Sequence, residues 1–241
     1  MGPACSVRTE AGVPPTLVGV LIAGFPAGAF QANCYVVALG PGQPCVVVDP
    51  GQDAAAPLAT LLAEHRLTPS AVLLTHGHLD HIAAAAEVCR VADIPALIAA
   101  PDEHLLADPM AGLSPELHTA LAGFPLDGLR PDEVVLLQDR VELAGLTFDV
   151  DRTPGHTPGS VVFRLAAADG PEVRPEILFT GDTLFAGSVG RTDLPGGSWE
   201  QLQESLRTQL LGRPDDAVVL PGHGPQSTIG AERAGNPFLT G

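Results

Sequence analysis

Three imidazoles and a carboxylate fall within the segment Thr75-His76-Gly77-His78-Leu79-Asp80-His81, directly after the apolar run Ala71-Val72-Leu73-Leu74. Neutral imidazole is the commonest protein metal ligand, and carboxylate oxygen is its usual companion where zinc is held without thiolate. Crowding four such groups at a strand end, with no ion to bind, would cost repulsion and desolvation for no return. Three more candidates stand in Gly/Pro-rich turns that each follow an extended apolar stretch. They are His156 in Thr153-Pro154-Gly155-His156-Thr157-Pro158-Gly159, Asp182 in Thr180-Gly181-Asp182-Thr183, and His223 in Pro221-Gly222-His223-Gly224. Glycine and proline beside each ligand give tight turns that hold a side chain at fixed aim.

Seven ligand-type residues are too many for one tetrahedral zinc and suit two metals that share a bridge. His76 and His78, two apart in a loop, can face one ion, completed by His156. Asp80 and His81, at the start of the apolar helical stretch 82–88, can swing to the other, completed by His223. Asp182 is left to bridge. The expected cofactors are two divalent ions, zinc first, with iron or manganese able to substitute because these ligands discriminate weakly among them. Asp49, in Val48-Asp49-Pro50-Gly51, is expected to accept a hydrogen bond from a ligand imidazole, since metal-bound histidine commonly donates its other N–H to such a group. His65, His104 and His118 have no second ligand-type residue in a comparable turn and read as helix positions.

This order of motifs resembles the metallo-β-lactamase superfamily of metallohydrolases: HxHxDH, then a single His, a single Asp and a final His, over nearly the whole chain. Residues Gly181-Asp182-Thr183-Leu184-Phe185, Gly190-Arg191-Thr192-Asp193-Leu194-Pro195-Gly196-Gly197 and Pro221-Gly222-His223-Gly224-Pro225 look most like the short glyoxalase II-like hydrolases, of hydroxyacylglutathione hydrolase type. The resemblance implies His76, His78 and His156 on one metal, Asp80, His81 and His223 on the other, and Asp182 on both, in agreement with the spacing. Glyoxalase II enzymes carry a C-terminal helical domain whose basic and aromatic residues hold glutathione. Here 18 residues follow His223, lysine is absent, and Tyr35 is the one tyrosine. The expectation is therefore a single domain over 1–241 with no separate C-terminal substrate domain.

A chain of 241 residues with 45% hydrophobic and 17% charged residues reads as one large globular domain, and its 27 Gly and 24 Pro imply many turns. Twelve arginines against 28 acids leave a net charge of −16 and no basic stripe, which argues against a nucleic-acid partner. The site itself can stay positive, because two divalent ions outweigh Asp80, Asp182 and a bridging hydroxide by about one charge. Cys5, Cys34, Cys45 and Cys89 form no CxxC spacing and read as reduced core thiols of a cytoplasmic protein. Gly2 and Ser6 match the loose myristoylation pattern, and the apolar run 17–25 behind Arg8 imitates a signal peptide. Glu10 and Pro14-Pro15 interrupt that pattern, and the run pairs more naturally with 34–39 as a hairpin. No apolar stretch reaches the ~18 residues of a membrane helix.

Apolar, β-branched runs at 17–22, 34–39, 45–49, 71–75 and 96–99 alternate with helical stretches at 53–65 and 81–92. A second series follows at 134–137, 146–150, 161–165, 177–180 and 217–220, with a helix over 198–210 capped by Ser198. Two such halves imply an α/β fold with two sheets face to face and helices outside, the four-layer αββα sandwich that the resemblance also gives. The Pro-rich stretch 101–130 reads as helical fragments crossing between the halves, with a share in the pocket wall as the alternative.

The expected chemistry is hydrolysis of a small anionic thioester by metal-bound hydroxide, with Asp80 orienting the nucleophile and Asp182 bridging. A thiolate leaves without a protein acid, a free thiol having a pKa of about 8.5. The competing readings are a one-iron persulfide dioxygenase using His76, His156 and Asp182, another metallohydrolase such as a lactonase or β-lactamase, and a silent binding protein. A bridging Asp182 disfavours the β-lactamase, because binuclear β-lactamases place a cysteine near that position. Arg191, nine residues after Asp182, is the candidate for gripping a substrate carboxylate. The alternative is that it pairs with Asp193 to shape its turn.

Overall fold

In the computed structural model, which describes residues 19–120, 128–167 and 174–239, the apolar runs become two six-stranded sheets. The first contains β1 (Leu21–Ala27), β2 (Ala32–Ala38), β3 (Pro44–Val48), β4 (Thr68–Leu73), β5 (Ala96–Ile98) and β6 (Val134–Leu136), in that spatial order. Strands β1 to β3 are antiparallel, and β3 to β6 are parallel. Parallel neighbours need crossovers, which α1 (Ala55–His65) supplies between β3 and β4, and α2 (Leu79–Ile82) with α3 (Ala85–Ala92) between β4 and β5. Two 3-10 turns, Ala100–Leu106 and Pro109–Gly112, and α4 (Pro115–Ala120) lie between β5 and β6.

The second sheet is built from β7 (Arg140–Leu143), β8 (Leu146–Arg152), β9 (Val161–Leu165), β10 (Ile177–Gly181), β13 (Val218–Pro221) and β14 (Ser227–Thr228). Its spatial order is β14-β13-β10-β9-β8-β7. A small hairpin, β11 (Leu184–Phe185) with β12 (Ser188–Val189), follows β10. Helix α5 (Trp199–Ser205) runs on as a π-turn over Leu206–Leu210, and α6 (Ile229–Gly235) follows β14. Ser198 caps α5 as expected, its Oγ accepting from the Gln201 N–H at 3.3 Å.

Three apolar layers account for the stacking. Val46, Val48 and Leu73 of the first sheet meet Phe148, Phe163, Phe179 and Leu220 of the second in the central layer. Leu58, Leu61, Val88 and Cys89 pack α1 and α3 on the outer face of the first sheet. Leu202, Leu206 and Ile229 cover the second. Strands β3 and β4 are thus buried on both faces, which is why they read as unbroken rather than alternating apolar runs. The result is the expected αββα sandwich.

The expected hairpin forms, with β1 and β2 in register from Leu21 opposite Ala38 to Ala27 opposite Ala32. Residues 17 and 18 of that run, and Gly2, Cys5 and Ser6, lie outside the described residues. Two elements differ from the sequence expectation. The stretch 134–137, assigned above to the second series, supplies β6, the last strand of the first sheet; a three-residue apolar strand carries no signal of which sheet it joins. The helix read over 81–92 starts earlier, at Leu79, and breaks at Ala84, whose N–H donates to the Pro50 carbonyl instead of continuing the helical ladder. Strands β7 and β14 and helix α6 were not anticipated, being short edge or terminal elements with little apolar content. Among the described residues no helix is long and apolar enough to cross a membrane.

Phe163, fully buried between the sheets, tests the central layer. Phe163→Ala is expected to cost about 3–5 kcal/mol, read as a lower urea midpoint at unchanged m-value; a loss under about 1 kcal/mol would mean the layer is not packed as described.

Candidate metal centre

The four ligand-bearing turns lie at the C-terminal ends of β4, β8, β10 and β13, so one edge of the sandwich receives every candidate. Ligand atoms of His76, His78 and His156 all lie within 4.8 Å of one another, as do those of Asp80, His81 and His223. The Asp182 carboxylate reaches both groups: its Oδ2 is 3.5 Å from His156 Nε2 and 3.6 Å from His223 Nε2, and its Oδ1 is 3.3 Å from His81 Nε2. The two triads and the shared carboxylate are the sets expected from spacing.

Neighbouring groups fix which imidazole nitrogen is free. His156 Nδ1 donates to the Arg191 carbonyl at 2.8 Å, and His81 Nδ1 to Asp49 Oδ2 at 2.9 Å, which leaves both Nε2 atoms facing inward. His78 Nδ1 lies 2.8 Å from His156 Nε2. Within the cluster, His76 Nε2, His78 Nε2 and Asp182 Oδ1 are buried without a hydrogen-bond partner. Each such orphan costs about 1–3 kcal/mol if nothing satisfies it. Inward lone pairs, buried and convergent on two points, fit divalent ions, and the all-nitrogen-and-oxygen donor set admits zinc, iron or manganese.

Asp49 does what the sequence implied and more. Its carboxylate accepts from His81 Nδ1, from the Thr75 N–H at 2.8 Å and from the Thr75 hydroxyl at 2.6 Å, while Thr75 Oγ1 lies 3.1 Å from His76 Nδ1. One buried carboxylate thereby orients a ligand of each triad. A second was missed. Asp102, fully buried at the first turn of the 100–106 segment, accepts from the Gly77 N–H at 2.9 Å, the Thr157 hydroxyl at 2.7 Å and the Gly159 N–H at 2.7 Å. It ties the His76–His81 loop to the His156 turn. In sequence, Pro101-Asp102-Glu103 looks like any acidic helix start, and no local signal marks it.

The His223 turn is held from β2: Asn33 donates to the Pro221 and Gly224 carbonyls, both at 2.9 Å, and the Tyr35 hydroxyl donates to Pro221 at 2.8 Å. A Cβ at Gly222 would stand 2.3 Å from Asp182 Oδ1 and 2.7 Å from His81 Cε1, so the bridge and the turn can share this space only if the residue is glycine.

Burial is the main force pushing His76 below its ordinary pKa, helped by His81 and His156, and it takes His78 down to about 3 with help from His156. Both imidazoles are neutral and ready to ligate. For His81 burial pulls the same way, but Asp182 and Asp80 outweigh it and hold the ring well above the usual value. Asp182 is the mirror image: burial raises it, and His81 overcomes that to keep it well below the carboxylate range. Burial also opposes the shifts of Asp80 and His223: His81 first, then His223, brings Asp80 down, and Asp80 with Asp182 brings His223 up. Asp49, Asp80, Asp102 and Asp182 together match the charge of two divalent cations.

A cleft of about 260 Å³ opens over the cluster. Besides the ligands, Phe30, Leu79, Leu113, Leu117, Leu194 and Arg191 line it. Leu113 and Leu117 come from the 101–130 stretch, which therefore both crosses over and builds the wall. Arg191 forms a two-pronged pair with Asp193, Nε to Oδ1 at 2.7 Å and Nη2 to Oδ2 at 2.8 Å, which pulls the Asp193 carboxyl down to about 2. His104 and His118 bond the Pro101 and Met110 carbonyls and stand outside the cluster, as does His65.

A metallo-beta-lactamase superfamily pattern matches residues 27–223, and the chain belongs to that superfamily, a family of metal-binding hydrolases. An uncharacterized protein of Mycobacterium tuberculosis is 48% identical over 225 residues, 92% of this chain and 99% of its own. Hydroxyacylglutathione hydrolase GloC of Haemophilus influenzae is 35% identical, with coverage of 89% and 95%. Among solved structures, BLEG-1 B3 metallo-beta-lactamase superposes with a TM-score of 0.77 at 37% identity, covering 92% of this chain and 100% of its own. TTHA1623 in a di-iron-bound form gives 0.72 at 36% identity, covering 90% and 99%.

Elemental analysis of the loaded protein is expected to find close to two ions per chain, and one ion would exclude the shared-carboxylate arrangement. Asp49→Asn is expected to weaken ion affinity about 10–100-fold, the usual loss for a residue that orients ligand imidazoles, measured by competition with a chromophoric chelator.

Proposed function

We propose that the protein is a binuclear metal-dependent hydrolase that cleaves thioesters, RS–CO–R′ and water giving RSH and R′COOH. The observation that carries this reading is the placement of Asp182 between two three-ligand groups at the floor of a cleft. Two ions held there would lower the pKa of a shared water toward neutrality and polarise the carbonyl. His76, His78 and His156 hold one side, and Asp80, His81 and His223 the other. Asp80, partly open to the cleft, is placed to orient the attacking water. Departure of a thiolate needs no proton from the protein at neutral pH, and the cleft wall supplies no further acid. Zinc is the first expectation. The 36% identical protein in di-iron form makes iron its competitor, and the name of the 35% identical GloC supports a thioester substrate.

A second reading, β-lactam opening, is favoured by the likeness to BLEG-1. Thiol release from acyl thioesters and hydrolysis of a chromogenic cephalosporin, followed on the same zinc- and iron-loaded preparations, separate the two. Thioester turnover well above β-lactam turnover is expected; the reverse ranking would replace the proposal. Chelation should abolish activity, and re-addition of the ion should restore it. Asp182→Ala should lose at least the ~100-fold typical of damaged metal sites together with both ions, whereas His65→Ala should leave both readouts unchanged.

A further inference from the structure

We infer, against the anionic substrate expected from the sequence, that the cleft selects thioesters whose acyl and thiol arms are uncharged, and that Arg191 serves its own turn rather than a substrate anion; this rests on the thioester-hydrolase reading. Recognition of an anionic thiol such as glutathione requires cations at the cleft. All cationic side chains of the chain, histidine aside, are its 12 arginines. Among the described residues Arg191 is the one that lines the cleft, and both prongs of its guanidinium are taken by Asp193. An exposed, solvent-screened pair of this kind is weak, so a substrate carboxylate could displace it. The exchange would gain no more than it lost, and would leave the incoming carboxylate beside a freed Asp193. Residues 121–127, which follow α4 in the chain, include no cation.

The cluster beneath offers no surplus charge either. Asp49 and Asp102, buried directly behind the ligands, join Asp80 and Asp182 in offsetting two divalent ions, and the chain as a whole carries −16. The wall instead offers Phe30 from the β1–β2 turn, Leu79 from the histidine loop, Leu113 and Leu117 from the crossover, and Leu194 from the loop after β12. Four separate segments converge to present apolar surface, which favours every methylene taken out of water there. The cavity of about 260 Å³ falls just under the roughly 300–1,000 Å³ of drug-sized pockets, so it accommodates the acyl group and the first atoms of the thiol arm.

The test compares two thioesters of one acyl group on the metal-loaded protein: N-acetylcysteamine as the neutral thiol and glutathione as the anionic one. We expect kcat/KM at least 10-fold higher for the neutral ester. Equal or higher kcat/KM for the glutathione ester overturns this inference and leaves the hydrolase reading standing; hydrolysis of neither overturns the hydrolase reading itself. Binding of the matching S-alkyl thioethers, measured by calorimetry, decides selectivity without turnover: the neutral one should bind more tightly, and tighter binding of the glutathione one overturns the inference. Arg191→Ala should leave the neutral-to-anionic ratio within about twofold, and a selective loss on the glutathione ester would show that Arg191 grips substrate. Leu117→Arg, adding a cation to the wall, should narrow the ratio several-fold, and an unchanged ratio would show that the wall does not set selectivity.

Discussion

The structure depends on one costly act, the burial of the Asp182 carboxylate among imidazoles. A desolvated carboxylate is tolerated only where compensating charge is fixed beside it. Here His81 is the main neighbour holding Asp182 well below the usual carboxylate range, and Asp182 and Asp80 in turn hold the His81 ring well above its usual value despite complete burial. Two divalent ions would take over the same role, since His76 and His78 are already neutral and aimed inward. The cluster would therefore not need to be rebuilt on loading, because the fold already fixes the positions of its side chains.

Such positions can be held only by a rigid frame, and the two sheets provide it. Each ligand turn is anchored at the end of a strand packed into the central layer, and β4, β10 and β13 are covered on their other face as well. What the strands cannot fix, the aim of each ring, falls to two carboxylates behind them. Asp49 couples one ligand of each triad through Thr75. Asp102 ties the loop of the first sheet to a turn of the second through two backbone N–H groups and a hydroxyl. The ligand geometry is thus set by hydrogen bonds across the sheet interface, where the same low dielectric that makes an unpaired group expensive makes a paired one strong.

What the sequence made legible follows from how local each signal is. The seven converging His and Asp residues and Asp49 were readable as candidates because each lies in a short turn of distinctive chemistry after an apolar run. The hairpin at β1–β2 and the strands at β3, β4, β9 and β10 were readable from their unbroken β-branched content. Asp102 was not, because its partners at 77, 157 and 159 are remote in sequence and an acid after proline looks like an ordinary helix start. Strand β6 was placed in the wrong half for a related reason: sheet membership is decided by the crossover that precedes it, and three apolar residues carry no record of that.

The substrate cleft is the least legible part, and the physics explains why. Metal ligands must be particular atoms at particular angles, so their residue types are constrained one by one. An apolar wall asks only for bulk, which Phe30, Leu79, Leu113, Leu117 and Leu194 supply from four stretches that no periodicity links. Arg191 shows the opposite hazard: a lone cation near a site invites assignment to substrate, yet its meaning is fixed by a neighbour two residues away. The Asp193 carboxylate that occupies its fork converts a charge visible in the sequence into a locally neutral turn. Selectivity in this cleft then depends on what the wall excludes from water rather than on what a cation attracts.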